Sequence, residues 1–251
     1  MFPGMEWRER NGVRWLEADL GGARAAFSTR LGGVSEPPFD ALNVGLLTDD
    51  AEEAVRENRR RLVAALGLEP ERVVFARQVH GTRLLDHRPD TVSRLLAPRG
   101  ATILEADGHV VSELGVVALV FVADCLPIAL AGPGGVALLH AGWRGLAGGI
   151  IASGVGAVEA TTAALGPGIG PCCYEVGEEV LEPFRRLGGG VATGPMLDLA
   201  EAARRLLAEA GVAQIELAGL CTSCEEELFF SHRRDRGRTG RQAGIAWIEG
   251  S

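Results

Sequence analysis

Three residues in this 251-residue chain are of types that could do chemistry together: His80, Cys125 and His140. Cys125 and His140 stand near the two ends of VADCLPIALAGPGGVALLHAGWRG (122–145), with nothing ionisable between them and with Asp124 and Arg144 beside them. His80 comes from a separate run, RQVHG (77–81). Two imidazoles and a thiolate suit Zn²⁺ and leave one position open for a water whose pKa falls toward ~7. The same set describes a blue-copper centre if a long axial ligand, often Met, is at hand. None of the three methionines has a supporting context, and the five histidines show no closely paired motif. Copper is therefore the less supported ion. Without any metal, a thiolate beside an imidazole base is the nucleophile of an amide hydrolase. A non-catalytic metal-binding protein would use the same ligands.

The elements that must position these groups can be read from pattern. Residues 122–145 read as a β-hairpin turning at GPGG (132–135). With Pro133 and Gly134 as the loop, His140 pairs with Pro127, and Cys125 lies diagonally beside it on the same face. Pro-Gly is not the favoured pair for a two-residue hairpin, and a slip of one residue would separate the two side chains. Taken singly, the thiol reads equally as a small core filler and the imidazole as a satisfied core histidine.

Further strand-like runs are 72–80, 115–123, 227–232 and 243–248, while 126–131 and 136–140 form the hairpin. Helical periodicity covers 49–68, the small-residue stretch 145–165, 178–188 and 197–211. Helices and strands do not alternate strictly. The expected class is α/β of the α+β type, mixed β-sheets with outer helices, rather than a doubly wound parallel sheet. No repeat or polar linker divides the chain, so a single domain over 1–251 is expected.

The composition, 47% hydrophobic and 23% charged, is that of an ordinary globular protein. A net charge of −8 argues against a nucleic-acid partner. All 25 basic residues are arginine. Schiff-base and phosphate-loop lysines are thereby excluded, and any bound anion must be held by arginine or backbone N–H groups. Charges in the first residues and interrupted apolar runs predict neither a secretion signal nor a membrane span, hence a cytoplasmic protein with reduced thiols. No exposed heptad or apolar helix face stands out, which favours a monomer. Cys172 and Cys173 in GPGIGPCCYEVG (166–177) and Cys221 and Cys224 in CTSC could in principle close a zinc site. Adjacent ligands are awkward, however, and C-x-x-C occurs once, so these four read as buried structural cysteines.

FSTRLGGVSEPPFDALNVG (27–45), RQVHG, EADGHVV (105–111), VADCLPIAL (122–130), HAGWRG (140–145), GPGIGPCCYEVG and FFSHRRDRGRTGRQAGIAWI (229–248) follow one another in order. In these motifs the chain resembles the YfiH family, long labelled laccase-domain or polyphenol oxidase proteins and now regarded as purine nucleoside phosphorylases. The resemblance implies one domain with mixed sheets between helical layers, similar to a cysteine-hydrolase fold. It implies a metal site of His80, Cys125 and His140. It also implies phosphorolysis of adenosine, inosine and methylthioadenosine to free base and sugar phosphate, with adenosine deamination beside it. Some relatives are described as peptidoglycan editing factors that remove serine from a cell-wall precursor. One departure is His232, where a tyrosine is expected before the arginines.

Phosphorolysis of an N-glycosidic bond needs a phosphate clamp, a stabilised oxocarbenium-like sugar and a proton for the departing base. Arg144 is the first candidate for the clamp, followed by Arg30 and by Arg233 or Arg234. For proton transfer the candidates are Asp124, Asp107 and Glu175. Asn43 could hydrogen-bond a ribose hydroxyl or the base, or could equally stabilise a turn. The base-deaminase signature of H-x-E with P-C-x-x-C is absent.

Overall fold

A computed structural model describes residues 4–91 and 95–250. The first half of the chain contributes β1 (Glu6–Arg10), β2 (Val13–Asp19), β3 (Ala23–Ser28), α1 (Glu52–Leu66), β4 (Val73–Val74), β5 (Leu84–His87), β6 (Gly108–Val111) and β7 (Val117–Val122). Then come β8 (Leu126–Gly132), β9 (Gly135–Ala141), α2 (Trp143–Gly148), α3 (Ile150–Val158) and β10 (Thr162–Leu165). The remainder supplies α4 (Glu178–Leu181), β11 (Ala192–Thr193), β12 (Met196–Leu197), α5 (Leu199–Glu209), β13 (Gln214–Leu217) and β14 (Gln242–Ile248).

Two six-stranded mixed sheets carry the fold, in the orders β1-β2-β3-β14-β7-β4 and β13-β10-β8-β9-β6-β5. Their facing sides bury Phe27, Val120, Ala118 and Ala246 of the first against Ala129, Ala131, Val136 and Leu138 of the second. The outer face of the first sheet packs Trp15, Leu119 and Ile245 with Leu62 and Val63 of α1. The outer face of the second packs Ile128, Leu130 and Leu139 with Ile150, Ile151 and Val155 of α3 and Leu207 of α5. The order of layers is thus helix, sheet, sheet, helix. Strands that pack on both faces read as continuous apolar runs, as β7, β8 and β9 do.

Several expectations are corrected. Residues 145–165 are not one helix: Gly149 (φ 93°) separates α2 from α3, Glu159 (φ 50°) ends α3, and 162–165 form a strand. The alanines of β10 lie between β8 and β13, where sheet pairing overrides their helical propensity. ELFFSH (227–232) is a loop, not a strand. Phe229 and Phe230 are fully buried there, and the Gln242 side chain both accepts from the Phe230 N–H (2.9 Å) and donates to its carbonyl (3.1 Å). Of 72–80 only Val73–Val74 pair with a neighbouring strand. The strands β1–β3, β5, β6 and β13 were not among the expected elements.

Candidate active site

In the β8–β9 hairpin His140 pairs with Pro127, and the turn is Pro133-Gly134 between Gly132 and Gly135. Along both strands alternate residues point outward to the helices, so Cys125, Pro127 and His140 share the face toward the other sheet. Gly135 turns with φ 112°, and a Cβ there would strike the Val111 carbonyl. The register that glycine permits is therefore what brings thiol and imidazole together.

His80 arrives from the segment that leaves β4. The N–H groups of Val79, His80 and Gly81 all donate to the Asp107 carboxylate, at 3.1, 2.9 and 2.7 Å. Three successive amides folded round one anion force the left-handed turn seen at His80 (φ 59°). The same carboxylate accepts from Nδ1 of His140 at 2.8 Å, so one buried aspartate sets both histidines. With Nδ1 committed, Nε2 is the atom His140 presents to the thiol or to a metal. The His80 and His140 rings stand edge to face, 4.9 Å apart. The donor atoms of His80, Cys125 and His140 all lie within 4.8 Å of one another.

Gly142 explains the glycine of HAGW. A Cβ there would lie 3.0 Å from Cys125 Sγ and 3.1 Å from His80 Cδ2. The backbone thus forms one wall of the group, and the donor set with its carboxylate-held imidazole fits a metal ion with one position left open.

The charges reinforce one another. Burial pushes the Cys125 thiol up, but His140 and His80 outweigh it and bring it down to about 6. Burial pushes His140 down, yet Cys125 and Asp107 raise it to about 9. Burial also opposes ionisation of Asp107, and the His140 hydrogen bond with the Gly81 and Val79 N–H groups still lowers it to about 2. At neutral pH the metal-free group is a thiolate facing an imidazolium.

These groups open on a cavity of about 800 Å³. Its lining includes six arginines (Arg59, Arg77, Arg99, Arg144, Arg233 and Arg241), with Asp124 the one carboxylate among the described residues. Arg144 makes no ion pair among the described residues and stacks on Trp143 at 4.4 Å. Arg233 lies over Tyr174 at 5.2 Å and donates to the Glu175 carbonyl at 2.8 Å. Arg59 is buried with no carboxylate partner among the described residues; it lies over the Phe75 and Phe121 rings and donates to the Val44 and Leu95 carbonyls. Burial first, then Arg56, lowers its pKa to about 9.

Other expected site residues lie elsewhere. Asn43 is fully buried, and all four of its hydrogen-bonding positions are filled by Thr48, Asp50, Gly45 and Arg241, which leaves none for a ribose. Arg30 is spent on Asp40, the Glu226 carbonyl and the Phe230 ring, outside the cavity. The Glu175 side chain is exposed and does not line the cavity. Arg234 braces the Thr222 and Phe229 carbonyls and Asp235. Asp124 does line it, but its two oxygens accept from Thr222 Oγ1 and the Arg233 N–H, both at 2.7 Å. It positions a loop more directly than it shuttles protons.

Sequence reading missed Tyr174, Gln78, Arg59 and Arg241 as cavity residues, and took Asp107 for a proton shuttle rather than the orienter of both histidines. The place of Asp107 two residues before His109 in EADGHVV carries no mark of that role.

A thiol and two imidazoles held by one carboxylate on two packed sheets define a protein with a candidate metal-binding active site. The chain matches the family described as multi-copper polyphenol oxidoreductase laccase over residues 24–249, and it belongs to that family. It is 39% identical over 240 residues to the purine nucleoside phosphorylase YfiH of Shigella flexneri, covering 90% of this chain and 94% of that one. It is 40% identical over 254 residues to the purine nucleoside phosphorylase YlmD of Geobacillus stearothermophilus, covering 90% and 92%. The crystal structure of the Geobacillus YlmD superposes with a TM-score of 0.89 at 38% identity, over 99% of this chain and all of that one. Among the described residues no helix is long and apolar enough to cross a membrane.

Proposed function

We propose that the cavity is the active site of a purine nucleoside phosphorylase that uses zinc at His80, Cys125 and His140. The observation that carries this reading is the lining: among the described residues, six arginines and one carboxylate beside an open thiolate–imidazole group. Such a surface favours a multiply charged anion, and Arg144 and Arg233, neither tied to a carboxylate among the described residues, would clamp phosphate. Phe75, Phe121, Trp143 and Tyr174 offer the apolar walls a purine requires. Burial above all, with the Cys125 charge, raises Tyr174 to about 12, so it keeps its proton and serves as a donor to the departing base. Zinc there would supply a Lewis acid with an open position. The names of the relatives support the reaction class. Adenosine, inosine and methylthioadenosine as substrates, and adenosine deamination as a side activity, belong to the same proposal.

The test is product analysis with zinc-loaded protein. Adenosine should yield adenine and ribose 1-phosphate only when phosphate is present, and base release without phosphate would overturn the reading. The line Cys125–His140–Asp107 is also that of a thiol nucleophile with an oriented base. Metal-free protein that cleaves an amide and is silenced by alkylation would favour that second reading.

A further inference from the structure

The four cysteines the cavity does not use come from two loops far apart in sequence, and the fold brings their sulfurs together. Cys172 and Cys173 lie in the turn after β10, and Cys221 and Cys224 in the turn after β13. All four Sγ atoms are within 4.8 Å of one another. Cys224 Sγ stands 3.4 Å from Cys172 Sγ and 3.5 Å from Cys173 Sγ. A tetrahedron of sulfurs bonded to zinc at ~2.3 Å has edges of about 3.8 Å. The separations therefore suit four ligands of one ion. A disulfide would single out one partner for Cys224, and two sulfurs stand almost equally near it.

The backbone is shaped round the group. The Gly170 N–H donates to Cys221 Sγ at 3.2 Å. A Cβ at Gly170 would lie 3.2 Å from Cys221 Cβ and 3.3 Å from Cys172 Sγ, a tight fit that glycine relieves. Gly168 and Cys221 pair as an isolated bridge, and the Thr222 N–H donates to the Gly168 carbonyl at 3.0 Å. The Cys173 N–H donates to the Gly170 carbonyl, and the Cys224 and Glu225 N–H groups to that of Cys221. Two tight turns thus each aim two thiols at one point. The adjacent pair that looked awkward in sequence works because the turn after Gly170 brings both thiols to the same side.

From this geometry we infer that Cys172, Cys173, Cys221 and Cys224 bind a second metal ion, a closed structural zinc, independent of the open group at the cavity. One tetrahedral ion is favoured over an iron–sulfur cluster, whose several metals would spread the thiolates wider than 4.8 Å. Binding converts thiols to thiolates and releases their protons to solvent. The ion would tie together the two loops that build one side of the cavity. Tyr174 follows Cys173 directly, and Thr222, next to Cys221, holds Asp124.

Metal content and X-ray absorption of purified, zinc-replete protein test this. Wild type should carry two zinc equivalents. Cys125→Ala should keep one, surrounded by four sulfurs at ~2.3 Å, and Cys221→Ser/Cys224→Ser should keep the other, with nitrogen among its neighbours. Should the serine variant fail to fold, the Cys125→Ala spectrum decides alone. Cys125→Ala protein without zinc, with iron in its place, or with nitrogen and oxygen round its ion would overturn the inference. So would an intact mass showing two disulfides in freshly purified wild type. None of these readouts depends on nucleoside turnover, so failure here and failure of the phosphorylase reading are distinguishable.

Discussion

The two sulfur-containing groups are opposites in construction. His80, Cys125 and His140 stand by the ends of the central strands β8 and β9, with mixed donors, a buried aspartate behind them and a cavity of about 800 Å³ in front. The four cysteines sit on two surface turns, with uniform donors and backbone N–H groups behind them. Three ligands leave a position for a reacting molecule, whereas four close the shell and leave only a clamp. Charge separates the two groups as well as ligand number.

The sharpest way to break this contrast is to remove one sulfur from each group. Cys125→Ala should lower phosphate-dependent nucleoside cleavage on the order of 10³-fold. Cys224→Ser should leave the rate per folded molecule within a few-fold and instead cost about 3 kcal/mol of stability, or roughly 6–12 °C in melting temperature. Equal losses of activity in both variants would erase the distinction. Next comes Asp107→Asn, which weakens the orientation of His140 and should cost ~10–100-fold in zinc affinity or activity. Competition with a chelator should show that loss in one zinc equivalent and not in the other. A smaller effect is expected at the arginines. Arg144→Ala should raise the phosphate KM about tenfold, while Arg185→Ala, an exposed residue paired with Glu178 and Glu182, should leave it unchanged.

The histidines repeat the contrast on a finer scale. His140 is raised by its thiolate and carboxylate neighbours, whereas His109 is fully buried and, among the described residues, has only the His87 ring as hydrogen-bond partner. Burial first, then His87, lowers His109 to about 3, against a weaker pull from Asp107. Below the unfolded value near 6.5 the unfolded chain binds a proton that the native chain refuses, so stability is full above that pH and declines as pH falls toward 3. His109 should contribute up to about 1.4 kcal/mol per pH unit in that window. Urea titrations of His109→Gln should show a shallower slope than wild type. An unchanged slope would assign the pH dependence to other groups.

Much of the site was legible in sequence because its signals are local. The hairpin register that puts His140 opposite Pro127 follows from a two-residue loop at Pro133-Gly134. Helix α1 follows from its apolar spacing, its acidic first turn and the left-handed Gly67 at its end. Failures came where partners are distant. Residues 162–165 read as helix because nothing nearby shows that β8 and β13 flank them, and 227–232 read as a strand because burial of Phe229 and Phe230 imitates one.

Asn43 and Arg30 teach the same lesson in side chains. Both are polar residues in a motif-rich stretch, and the fold uses their hydrogen-bonding capacity internally. What the sequence determined by itself was the inventory: no lysine, five histidines, five cysteines, and a hairpin with a thiol near one end and an imidazole near the other. Tertiary structure alone decided that Asp107 orients both histidines, that arginines converge on one cavity, and that Cys172 and Cys173 meet Cys221 and Cys224. The physical reason is range. Register and capping are set by interactions over a few residues, while charge convergence and ligand closure depend on which loops the packed sheets bring together.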